Sequence, residues 1–124
     1  MEEVCVINET RGLCLAEKAG MAKSFFSRLK GLLGKKELQP GEGLVIMPCS
    51  SIHCLGMKFP IDVIYVSSDH RVLELVENLQ PNKLGPMIKD SKYVVELPAG
   101  TISTTSTRKG DLLLLKDLTD NPCG

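Results

Sequence analysis

Between Pro48 and Met57 the chain gathers Cys49, Ser51, His53 and Cys54 in one short stretch. A thiolate, an imidazole and a second thiolate are the soft and borderline donors that zinc takes. A closed tetrahedral site needs a fourth ligand, which folding would have to bring from Cys5, Cys14 or Asp62. The same side chains could instead pair as thiol and base, because an imidazole beside a thiol favours the attacking thiolate. No oxyanion-hole motif or orienting partner accompanies that pair in the sequence. The plainer reading treats the cysteines as small buried apolar groups, His53 as a hydrogen-bonded structural histidine, and Met57 and Phe59 as core side chains. No metal and no cofactor are therefore expected, with Cys49, His53 and Cys54 the ligands if there is one.

Asp62 interrupts an apolar strand and needs a partner, since an unpaired buried carboxylate is costly. Arg28 offers a two-pronged match from a neighbouring helix; backbone hydrogen bonds would serve equally. With Arg28, Ser51, His53 and Met57, Asp62 makes up the candidate ligand pocket. Lys18, Lys23, Arg28, Lys30, Lys35 and Lys36 give that helical region a basic character that suits phosphate, a membrane surface or an acidic protein, or is only a solvated face.

The elements that must position these residues are mostly strands. Val4–Ile7 and Leu13–Leu15 flank a run of turn formers and read as a hairpin. Met21, Phe25, Leu29 and Leu32 recur at helical spacing, which predicts a helix over 21–33. Gln39–Gly43 is a turn before a short strand at Leu44–Met47. Ile61–Val66 and Arg71–Val76 alternate around Ser67–His70, a central hairpin over 61–77. Residues 77–91 hold too many breakers for a regular element. A strand at Tyr93–Leu97, a single helical turn within Thr101–Thr107 and a last strand over 112–116 follow.

This order predicts a single domain over residues 1–124 of the α+β class, mainly β: a largely antiparallel curled sheet or small barrel with one main helix packed on one side. The connections read as too short for crossovers.

Fifteen basic residues balance fifteen acidic ones, so no general attraction draws the chain to nucleic acid or an anionic membrane. Aromatic residues make up only 4% of the chain, which leaves few platforms for stacking bases. The apolar runs are shorter than the roughly 18 residues of a membrane helix, and Met1-Glu2-Glu3 opens no secretory signal. These features predict a cytoplasmic protein whose five cysteines are reduced thiols.

Motifs at the joints resemble a known prokaryotic family. They are Arg28-Leu29-Lys30-Gly31-Leu32-Leu33, Gly43-Leu44, Pro48-Cys49, Ser51-Ile52-His53, Gly56-Met57, Phe59-Pro60-Ile61-Asp62-Val63, Val94 through Gly100, and Gly110-Asp111. Together they resemble the domain of unknown function 192, in order and over nearly the whole chain. His53-Cys54-Leu55-Gly56-Met57 stands where many relatives have Trp-Met-x-Asn-Thr, and so resembles a Cys, Ser-Ile-His, Met-x-Phe-Pro-Ile-Asp subgroup. The resemblance carries no activity with it.

The leading reading is a non-enzymatic accessory domain that binds an unidentified small ligand or protein. The alternatives are a metal- or thiol-dependent enzyme centred on Cys49, His53 and Cys54, and a protein-interaction module using the basic helix.

Overall fold

The computed structural model describes residues 2–22, 38–47, 59–81, 83 and 85–118, the side chain of Ala22 excepted. Seven strands run in chain order as β1 (Glu2–Asn8), β2 (Leu13–Ala22), β3 (Glu42–Ile46), β4 (Ile61–Val66), β5 (Val72–Leu79), β6 (Tyr93–Pro98) and β7 (Leu113–Asp117), with one helical turn, α1 (Thr101–Thr105), between the last two. They form one curled half-barrel sheet in the order β5-β4-β6-β3-β2-β1-β7.

Five of the six strand pairings are antiparallel, and β2 with β3 is parallel. The expected antiparallel character holds, but the expectation that no connection is long enough for a crossover is corrected. β2 ends at Ala22, which pairs with Ile46 at the end of β3, while Lys18 pairs with Glu42 at its start. A parallel pair of this kind needs a dozen or more residues between its strands, and residues 23–41 separate β2 from β3.

Met21 and Ala22 lie in β2 rather than in a helix. Glu2 and Val45 both pair with Met21, and those two ladders outweigh the helical spacing that Met21 shares with Phe25. The remainder of the predicted helix, residues 23–33, lies outside the described residues. β5 likewise runs to Leu79, three residues into the stretch 77–91 expected to be loop.

Two apolar clusters lie on the two faces. One contains Val6, Leu15, Val45, Ile64, Val72, Val95, Ile102 and Leu113. Because it draws on both edge strands, it fills the concave side. The other is narrower: Leu44, Ile46, Ile61, Val63, Tyr65 and Val94 on the convex side, packed by Leu38, Phe59 and the partly buried Ile88. Burial on both faces explains why β4 has no exposed residue and why Ile61–Val66 is nearly unbroken in apolar side chains.

Curling comes from extra residues. Val4 pairs with Ala19, Val6 with Ala16 and Ile7 with Cys14, so β2 carries two more residues than β1 over this span. Leu15 and Ala16 consequently both reach the concave core. The two edge strands then meet at one end. Arg71 bridges Leu112, while Val72 N–H donates to Asp111 O at 2.9 Å, Gly110 N–H to Val72 O at 2.8 Å and Leu113 N–H to His70 O at 2.8 Å.

Gly43 sits where the sheet leaves no room for a side chain. A Cβ there would stand 3.0 Å from Glu96 O, 3.1 Å from Leu97 Cδ2 and 3.3 Å from Ala16 Cβ. The first of these is ladder backbone and cannot turn aside. Gly43→Ala is expected to destabilise the fold by about 1–3 kcal/mol, read as a lowered urea midpoint at unchanged slope.

Candidate functional site

Of the residues that sequence assigns to a pocket, Asp62 is the one the structure places. Its side chain is fully buried and on the concave side, in step with Ile64 and Val66 along β4. Oδ1 accepts the N–H of Asn78 at 2.9 Å, and Oδ2 accepts those of Gly100 at 3.1 Å and Ile102 at 2.8 Å. Each of these amides needs that acceptor for a local reason. Asn78 sits where β5 has one residue more than β4, between the pairs Ile61–Leu79 and Val63–Val76, and its φ of 55° is left-handed. Gly100 and Ile102 open α1, whose N-cap has no side-chain acceptor of its own. Asp62 thus caps, from another strand, a helix that has no capping residue. The C-terminal end of α1 is closed by its own backbone: Ser106, left-handed at φ 55°, donates to Ser103 O, and Thr107 N–H donates to Ile102 O.

Arg28, Ser51, His53, Met57 and the metal candidates Cys49 and Cys54 lie outside the described residues. The ends of the segments that carry them are described. The chain leaves β2 and β3 at the paired residues Ala22 and Ile46, and Ile46 pairs in turn with Val94 on β6. It re-enters through Leu38 and Phe59, both buried in the convex cluster, before β3 and before Ile61, which pairs with Pro98 at the far end of β6. The described residues that flank the two connections therefore lie side by side at one end and in one cluster at the other. On the convex face, Glu96 is fully buried between its cross-strand partners Leu44 and Val63. A carboxyl placed there requires hydrogen bonding.

Sequence reading gave no role to two further groups, and offered a third only as a fourth zinc ligand. At the end of β1, Asp111 Oδ2 accepts Asn8 Nδ2 at 2.9 Å, Arg11 Nε at 3.1 Å and Arg108 N–H at 2.9 Å, and Thr107 Oγ1 accepts Asn8 Nδ2 at 3.2 Å. Burial pushes the Asp111 carboxyl up, but these hydrogen bonds and the Arg11 charge outweigh it and hold it below the usual carboxylate range. Its position after Gly110, left-handed at φ 90°, was the available signal, because an Asp beside such a turn commonly bonds backbone. In the β4–β5 turn, His70 Nδ1 lies 2.8 Å from the Tyr93 hydroxyl, and burial raises the Tyr93 phenol.

The third group is sulfur. Cys5 is fully buried and disulfide-bonded, which corrects the expectation that all five cysteines are reduced. Cys14 Sγ lies 3.7 Å from Cys5 Sγ, and its side chain is at the surface. Partial burial first, and then the Glu17 charge, push the Cys14 thiol up.

Comparison with known proteins bears on all of this. The sequence profile of domain of unknown function 192, described as "Uncharacterized ACR", matches residues 6–115. A UPF0127 protein of Thermococcus kodakarensis is 32% identical over 114 residues, covering 87% of this chain and 71% of that one. Another from Pyrococcus furiosus is 32% identical over 114 residues, covering 87% and 95%. A crystal structure of a protein of unknown function from Novosphingobium aromaticivorans superposes with a TM-score of 0.74 at 23% identity, covering 90% of this chain and 83% of that one, which establishes a shared fold.

Replacing Asp62 by Asn would put an amide against donors and strand buried N–H groups. Asp62→Asn is expected to cost about 3 kcal/mol in chemical denaturation. Asp111 contributes through a lowered folded value, so its stabilisation is complete above the ordinary carboxyl value of about 4 and is lost as pH falls through the depressed one. Asp111→Asn is expected to cost about 2 kcal/mol at pH 7 and to flatten the stability profile below pH 4.

Proposed function

Because this chain belongs to the domain of unknown function 192 family, with archaeal relatives and no activity attached to them, we propose its role from geometry: a non-enzymatic domain that binds a small ligand or a protein segment. The observation that carries this reading is the placement of the described residues that flank the segments holding Arg28 and Cys49–Met57: Ala22 and Ile46 pair at one end, and Leu38 and Phe59 are buried in one convex cluster. In this reading Arg28, Ser51, His53 and Met57 supply the contacts. Asp62 sets the frame beneath them, since its oxygens are engaged by backbone. A binding role fits the described charges better than catalysis does: Asp62 and Asp111 are both held by hydrogen bonds that fix turns and strand ends.

No helix among the described residues is long and apolar enough to cross a membrane. The proposal places the protein in the cytoplasm, where a disulfide at Cys5 belongs with exchanging bonds rather than permanent ones.

Native mass spectrometry of untagged protein, purified without chelator, tests the reading. A retained organic mass or a stoichiometric protein partner is expected, and His53→Ala and Ser51→Ala should remove it with the melting temperature unchanged. Bare protein in every preparation, or variants that lose the fold together with the adduct, would overturn it.

A further inference from the structure

Where the two edge strands meet, the ladders line up residues from three separate parts of the chain. Glu9 N–H donates to Leu112 O at 2.9 Å, which carries the Asn8–Leu113 register of β1 and β7 one residue further, and Arg71 bridges Leu112 from the other side. Residues directly opposite in antiparallel pairs put their side chains on one face. Glu9, Leu112 and Arg71 therefore form a row across the seam, with an acid and a base on either side of a leucine. Their chain neighbours Asn8, Leu113 and Val72 are buried, so the row points outward. Ile7, two residues before Glu9 on β1, shares that face.

The row is the floor of an open cleft of about 540 Å³, lined by Ile7, Glu9, Thr10, Gly12, Arg71 and Leu112, a size suited to a small molecule. None of these residues belongs to the pocket proposed above. With Cβ atoms about 5 Å apart at each step, Glu9 and Arg71 start about 10 Å from one another. Among the described residues no ion pair joins them. Arg71 Nη1 donates to Gly110 O at 3.2 Å, which steadies the guanidinium and leaves it further N–H donors. Thr10 Oγ1 accepts the N–H of Leu112 at 2.8 Å, so its own proton is left to donate. Other charges near the seam are engaged elsewhere: Arg11 with Asp111 at 3.1 Å, Lys109 with Glu74 at 3.1 Å, and Asp69 with the Ser67 hydroxyl.

We propose that this cleft binds a free α-amino acid with an aliphatic side chain: Arg71 takes its carboxylate, Glu9 its ammonium group, and Leu112 and Ile7 its side chain. An α-amino acid carries both complementary charges on one carbon, so a single small molecule answers the two ends of the row. A guanidinium presents paired donors to a carboxylate, and a carboxylate accepts from an ammonium group through a charge-assisted bond of about 2.8 Å. Gly12, left-handed at φ 67° and with nothing within 4 Å of the place a Cβ would take, keeps the β2 side of the cleft open for the ligand. Both ionic contacts face water, so binding is weak and falls as salt is raised.

Titration of isotope-labelled protein with L-leucine, followed by NMR, reads weak binding residue by residue. Saturable shifts are expected at the amides of Glu9, Thr10, Gly12, Arg71 and Leu112. Leucinamide lacks the carboxylate and N-acetyl-leucine lacks the ammonium group, and each should bind about five-fold more weakly than L-leucine. Glu9→Gln should weaken L-leucine about five-fold at an unchanged urea midpoint, while leaving N-acetyl-leucine as it was. Arg71→Gln should weaken L-leucine similarly and leave leucinamide as it was. An absence of saturable shifts at these amides would overturn the proposal. So would equal affinity for the two blocked derivatives, or a Glu9→Gln protein that binds L-leucine as before.

Discussion

Asp62 accepts backbone N–H groups from residues 16, 38 and 40 positions away in sequence, and it does so from a position with no solvent exposure. Those three bonds join β4 to the irregular part of β5 on one side and to the exit from β6 on the other. Without them the extra residue at Asn78 and the opening of α1 would bury polar amides without acceptors. The curl of the sheet at this end depends on both features, since Asn78 bends β5 and α1 seats Ile102 in the concave core. One carboxylate therefore sets the geometry of three strands.

The opposite closure uses the same chemistry with a different residue. Asp111 collects Asn8, Arg11 and the Arg108 amide where β1 ends and β7 begins, beside the Arg71–Leu112 bridge that joins the edge strands. Across the same seam Lys109 pairs with Glu74 at 3.1 Å. The surface ion pair adds little by itself. The buried carboxylate matters more, because Asn8, one of its donors, is fully buried with it. An open sheet whose edges meet around the Arg71–Leu112 bridge is held in its curved form by polar groups at its ends and by apolar packing between them.

Much of this was legible from local pattern. The hairpins of β1–β2 and β4–β5 were readable because alternation and turn residues state them within a few positions, and the single turn at Thr101–Thr105 because Gly100 and the Ser/Thr run announce it. Asp62 announced that it needed a partner, as any acid in an apolar strand does, but its partners are main-chain groups, and no residue type marks which amides will be orphaned. Met21 was misread because its spacing to Phe25 is local, whereas the pairings to Glu2 and Val45 are not. Glu96 carried the same signal as Asp62, an acid inside Val94-Val95-Glu96-Leu97, and should be weighed with the candidate site because it lies on the convex face where Leu38 and Phe59 are buried.

The cysteines show a different limit. An odd number without paired spacing argues for thiols, and that argument treats every cysteine as equivalent. Burial and register separate them. Cys5, enclosed on β1, is oxidised, while Cys14 at the surface of β2 touches it only because β2 carries residues that β1 lacks. Bulges on β2 both curl the sheet and bring these sulfurs together, so the feature that shapes the barrel also sets the distance between them. Filling the Cys14 position with a residue of similar size would leave the curl intact, which means that the architecture does not require a thiol there. The presence of one at that position is therefore a chemical fact about the chain, separable from its fold.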